Sequence, residues 1–187
     1  MATIDTNPHT PLAATGPLPA YSERAWRHYL STIIEIEVSP GRWAHLNGPA
    51  ALDELPLPAP IHVITACNPE GIYRSEEENR AATARLVGEM WVSGFAIARA
   101  LGRSPSGDHS EVSVALSGLS RPEALRVGRR YSQIAIYEVT DDTVILMACH
   151  SERVEAFDRH PTVTPKIFGD ASWREAAPAR IADRLND

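Results

Sequence analysis

The sequence predicts an α+β domain, and three observations carry that prediction. Short β-branched or alternating segments recur, among them IHVITA at 61–66, EVSVAL at 111–116 and TVILMAC at 143–149. Of two intervening segments, one opens with Ser75 and, three residues later, Glu78, the reciprocal capping pattern of a helix start, and the other with the helix-start chemistry of Ser120, Pro122 and Glu123. From residue 61 the elements then read β-α-β-β-α-β with an extra strand or two. That is the ferredoxin-like signature, or a related sandwich of helices on one sheet.

The elements follow in chain order. Residues 1–20 hold four prolines and no period that packs, which predicts a flexible N-terminal lead. A short helix is expected over 21–30. TIIEIEV at 32–38 alternates apolar with acidic residues, as a strand with one wet face does. Five prolines between 39 and 60 predict an irregular connection. After the strand at 61–66, CNPEGIYR breaks the chain with Asn-Pro and Glu-Gly turn dipeptides. Ser75 and Glu78 start the first core helix, with Ala82, Leu86 and Met90 as its buried stripe and Asn79 one turn before them. A strand at 95–100 and the polar loop at 102–110 lead into 111–116. There Val112, Val114 and Leu116 share one face, and Glu111, Ser113 and Ala115 the other. Ser120, Pro122 and Glu123 open a second helix running to about residue 130. SQIAIYEV, an Asp-Asp turn and TVILMAC make a closing hairpin. One domain is thus expected over 21–150. Residues 151–187 read as a polar C-terminal tail, partly helical near 172–185.

Composition narrows the class of function. The 187 residues are 43% hydrophobic, enough for a real core, but only 6% aromatic, so that core is aliphatic. The net charge of -6, with no basic run, argues against nucleic acid, whose phosphates must be met by Lys and Arg. No apolar run reaches the length of a membrane span. Residues 1–20 have neither the basic start nor the apolar stretch of a secretory signal, so the expected compartment is the cytoplasm. Cys67 and Cys149 are expected to stay reduced there.

Three stretches together resemble a known family: ITACNPEG with SEEENR (64–71 and 75–80), GDHSEVSVAL (107–116) and GRRYSQIAIYEV (128–139). In order and spacing they are similar to the bacterial domain-of-unknown-function family 3293, over roughly residues 24–150. One position departs, since Cys67 stands where the family often carries Trp. The resemblance implies a domain extent and a set of positions of interest. It implies no reaction and no cofactor.

The candidate site residues fall into small groups. Thr65, Asn68 and Asn79 converge on the turn after residue 66. Either the amides brace the turn, or they present hydrogen-bonding edges to a ligand. Glu78 and Arg80 flank them as further ligand contacts, and Gln133 is another, unless it caps a neighbouring strand. Glu76, Glu77 and Glu78 cancel the field of the helix N-terminus and disfavour phosphate there, leaving a neutral or cationic group as the better fit. His109 and Glu111 share a strand face and form a candidate acid–base pair, with Ser113 as a conceivable nucleophile; the plain alternative is a solvated strand end. His109, Glu111, Cys149 and His150 show no metal-binding spacing, and no metal site is predicted.

A parallel pairing of the strands at 61 and 111 is expected. About six residues at roughly 3.3 Å each would then leave His109 and Glu111 about 20 Å from Asn68 and Gln133. Two functions follow: binding of a small polar ligand, with or without catalysis, or a non-catalytic interaction module that docks a partner or forms a homodimer through an exposed edge.

Overall fold

The computed structural model describes residues 23–161. Its elements are α1 (Glu23–Leu30), β1 (Ile33–Ser39), β2 (Arg42–His45), β3 (Ile61–Thr65), α2 (Glu76–Val92), β4 (Ala96–Arg103), β5 (Ser110–Ser117), α3 (Arg121–Arg130), β6 (Ala135–Val139), β7 (Thr143–Ala148) and β8 (Val154–Asp158). The strands form one sheet in the order β2-β1-β4-β5-β3-β6-β7-β8, and every neighbouring pair is antiparallel. The protein is therefore α+β. The expected lead at 1–20 and helix near 172–185 lie outside the described residues.

Strand alternation divides the core into two layers. On one face Ile34, Ile36, Ile61, Val63, Ala115, Tyr137 and Leu146 meet Trp26, Tyr29 and Leu30 of α1 and Leu46, Leu55 and Leu57 of the β2–β3 connection. On the other, Ile64, Val114, Leu116, Ile136 and Met147 pack under α2 and α3. Helix α2 lies over β4 and β5, and α3 over β3 and β6. Each fully buried Ile or Leu contributes roughly 1.5–3 kcal/mol by leaving water. Both core helices start where expected: Ser75–Glu78 forms a complete capping box, and the Glu123 carboxylate accepts from the N–H and the hydroxyl of Ser120. On α2 the buried residues are Thr83, Leu86 and Met90, with Ala82 packed only partly against the cluster.

The structure overturns the expected strand pairing. Strands β3 and β5 are adjacent but antiparallel, with Thr65 opposite Ser113 and Ile61 opposite Ser117. The end of β3 therefore meets the start of β5, and the inferred separation of about 20 Å collapses to contact, as described below. Two strands were not expected at all. β2 forms within the proline-rich connection, where Gly41 at φ 74 allows the tight reversal from β1. β8 draws on the stretch read as tail, and is fixed by Arg159. This side chain is fully buried and donates to the carbonyls of Asp141 (2.7 Å), Leu52 (2.9 Å) and Asp53 (3.0 Å). A buried guanidinium satisfied by backbone carbonyls leaves no apolar period for a sequence to display. Among the described residues no helix is long and apolar enough to cross a membrane.

Candidate functional site

The site is built where β3 ends. Thr65 ties the strand end to β5: its hydroxyl donates to the Val112 carbonyl (2.8 Å) and accepts from the Cys67 N–H (2.9 Å). Asn68 then turns the chain in a left-handed conformation (φ 48, ψ 57), which Asn tolerates better than most side chains. A short 3-10 turn, Pro69–Gly71, follows, and Ser75 caps α2.

Two side chains hold this bend from opposite sides. On the α2 side, Asn79 Oδ1 accepts from the Asn68 N–H (2.9 Å), and its Nδ2 donates to Asn68 Oδ1 (3.1 Å) and, at 3.4 Å, to the Arg74 carbonyl. Asn68 Oδ1 also accepts from the Arg74 N–H (3.0 Å). Behind the bend, the buried Gln133 donates from Nε2 to the carbonyls of Cys67 (3.0 Å) and Tyr131 (3.1 Å). The remaining amide of Asn68, Nδ2, donates to Glu111 Oε1 at 2.6 Å, joining the end of β3 to the start of β5.

Between the first turns of α2 and the start of β5 lies a hollow of about 220 Å³, lined by Cys67, Asn68, Thr83, Leu101 and Glu111 among others. Helix α2 contributes Glu76, Asn79, Arg80 and Thr83, the i, i+3, i+4, i+7 pattern of one helix face. Strand β5 contributes Ser110, Glu111 and Val112. The Cys67 thiol faces Thr83 Oγ1 at 3.8 Å and the Val112 carbonyl at 3.6 Å. Burial pushes this thiol above its ordinary range, which keeps it protonated and a poor nucleophile.

At the rim, His109 Nε2 stands 3.5 Å from Glu111 Oε1, and the ring meets Tyr73 edge-on with centroids 6.3 Å apart. The Glu111 carboxylate raises the His109 pKa, against a smaller opposing effect of burial.

The sequence-derived candidates thus separate by role. Asn68, Asn79, Arg80 and Glu111 line the hollow, and His109 sits beside Glu111. Thr65 and Gln133 brace the wall from behind. Glu78 spends its carboxylate on the capping box, accepting from the N–H and the hydroxyl of Ser75 at 2.9 and 2.7 Å. Ser113 is buried and its hydroxyl reaches the Glu111 carbonyl (3.4 Å), an arrangement that does not activate it. Sequence reasoning missed Glu76, Thr83, Leu101 and Ser110. The helical spacing from Glu76 to Thr83 was the available signal; Leu101 and Ser110 needed the β4–β5 register. A second, wider groove of about 980 Å³ runs along 53–59 beside Asp141, Asp142 and His160. Among the described residues no three His, Cys, Asp or Glu side chains gather as metal ligands.

Comparison with known families bears on the same stretch. Residues 64–136 match the model of a family described as "Protein of unknown function (DUF3293)". This segment is similar to the DUF3293 family. The match is shorter than the 24–150 span suggested by resemblance, yet the matched segment holds every lining residue of the 220 Å³ hollow, along with His109 and Gln133. No curated protein and no solved structure matches the chain significantly.

Proposed function

We propose that this domain binds a small polar ligand in the hollow between α2 and β5. One observation carries the reading: Asn68, Asn79 and Glu111, from three separate segments, meet around a single solvent-reachable space of about 220 Å³. Structural bracing alone does not call for a hollow, and the lining combines a few convergent polar groups with apolar Leu101 and Val112, as small-molecule sites do. In this reading Glu111 and Arg80 contact the ligand, Asn68 and Asn79 shape the wall, and His109 with Glu111 is an acid–base pair at the mouth. Thr65, Gln133 and Glu78 act by fixing the bend and the helix start.

A thermal-shift screen of a broad metabolite panel tests the proposal, run on the wild-type chain and on Arg80→Ala, which removes an exposed side chain. A compound that raises Tm in the wild type and loses its effect in the variant supports it. Hits indifferent to Arg80→Ala and Glu111→Gln, or no hit across the panel, count against it.

A second reading, an interaction module, draws on the outer surface of α2, where Trp91 and Val92 are 75% and 87% exposed. Sedimentation and cross-linking of wild type against Trp91→Ala decide it. A dimer or a stoichiometric partner lost in the variant favours docking there, and a monomer with no captured partner removes the reading.

As to architecture, we read β3 to β6 with α2 and α3 as a ferredoxin-like unit widened by two strands at each edge. An experimental structure placing β3 directly beside β4 would refute that reading.

A further inference from the structure

We propose that the hollow takes its ligand through a cationic nitrogen, a primary ammonium or guanidinium group held by the Glu111 carboxylate. The inference rests on the ligand-site reading above and names the chemistry of the occupant.

Charge is the first argument. Glu111 brings its carboxylate to the β5 wall, while the guanidinium of Arg80 stands exposed at the lip. The field at the β5 wall therefore favours a cation over an anion. Geometry is the second. Glu111 is held in place, with Oε1 accepting from Asn68 Nδ2 at 2.6 Å and lying 3.5 Å from His109 Nε2. Among the described residues no hydrogen bond reaches its Oε2, although an ionised carboxylate has about four acceptor positions. A positioned, half-buried acceptor with capacity to spare matches a group rich in donors. The third argument removes the competing anion site. The first N–H groups of α2 would otherwise attract a negative group, but the Ser75–Glu78 capping box occupies that end and Glu76, Glu77 and Glu78 crowd it with negative charge.

The size is also consistent. At about 30 Å³ each, roughly seven waters would fill 220 Å³, the space of a ligand of amino-acid size. Arg80, exposed at the lip, is placed to meet an acidic group at the far end of such a ligand.

Isothermal titration calorimetry on the full chain tests this with butylamine and agmatine as cationic probes, and with the zwitterion γ-aminobutyrate as an ammonium that also carries an acidic group for Arg80. Butyramide and butyrate serve as neutral and anionic counterparts. Cationic probes are expected to bind at least tenfold more tightly than either counterpart. Glu111→Gln, which keeps an acceptor for Asn68 Nδ2, is expected to weaken them about ten- to a hundredfold, the weight of one charge-assisted hydrogen bond. Circular dichroism verifies that the variant folds; Glu111→Asp, which keeps the charge, serves if it does not, with a smaller loss expected. Equal or tighter binding of butyramide or butyrate, or cation binding that Glu111 variants leave unchanged, overturns the inference. So does silence from all three ammonium-bearing probes. In each case the ligand-site reading survives if a compound from the metabolite panel still binds in an Arg80-dependent way, and falls with the inference if none does.

Discussion

The bend at Asn68 gives a prediction that separates backbone from side chain. Consider Asn68→Ala and Asn68→Gly. Both delete the bond to Glu111 (2.6 Å) and the acceptor that serves the Arg74 N–H and Asn79 Nδ2. A bond to a charged group is worth about 1.5–3 kcal/mol and a neutral one about 0.5–1.5. Because the site is only half-buried and water replaces part of the loss, about 2 kcal/mol is expected from the side chain in either variant. The two differ in the backbone. At φ 48, Ala pays about 1–2 kcal/mol of left-handed strain that Gly escapes. The greater freedom of Gly in the unfolded chain returns about 0.4–1 of this. Asn68→Gly should therefore be less stable than wild type by about 2 kcal/mol, and Asn68→Ala by about 3. Equilibrium urea denaturation followed by circular dichroism measures both. Equal stabilities for the two variants would refute the left-handed assignment. A loss below about 0.5 kcal/mol in both would refute the claim that Asn68 ties β3 to β5.

Three other outcomes are expected. Gly128→Ala, which in an open helix would stabilise by about 0.5–1 kcal/mol, should instead destabilise by about 1–3 kcal/mol in denaturant titration, because its new methyl would sit 2.6 Å from Cys149 Sγ and 2.9 Å from Ile136 Cγ2. Arg159→Ala should cost about 3–5 kcal/mol and speed hydrogen exchange in β8, since a fully buried side chain is lost and three main-chain carbonyls lose its donors at once; exchange unchanged in β8 would count against its role there. In an NMR titration His109 should ionise above the ordinary value of about 6.5 and fall back toward it in Glu111→Gln. Because the folded value is the higher one, the pair's small stabilising effect is complete below about pH 6.5. It fades as pH rises through the folded value.

What could be read from the sequence were features that leave a local mark. The capping box at Ser75, the helix start at Ser120 and the alternation in 61–66 and 111–116 rest on neighbours in the chain, and each reappears in the fold. Asn68 and Asn79 were recognisable because a turn and a helix start lie close together. Strand direction has no such mark, and the parallel pairing assumed for β3 and β5 carried the error into the distance between Glu111 and Asn68. β8 escaped notice because its residues are mostly exposed and its anchor, Arg159, is an ordinary surface residue by type. Gln133 could be singled out, but whether it faced a ligand or a carbonyl depended on where Cys67 lay, 66 positions earlier in the chain.

The antiparallel register of β3 on β5 bears on how correct assembly is measured. Sliding one strand past the other by a single step would preserve most main-chain bonding and nearly all the ellipticity. It would also turn every side chain of the slipped strand to the opposite face and carry Glu111 out of reach of Asn68. Molecules zipped out of phase would pass as folded by spectroscopy yet offer no cavity. For this domain, the fraction of chains that can take up a probe should therefore be a stricter measure of correct assembly than secondary-structure content.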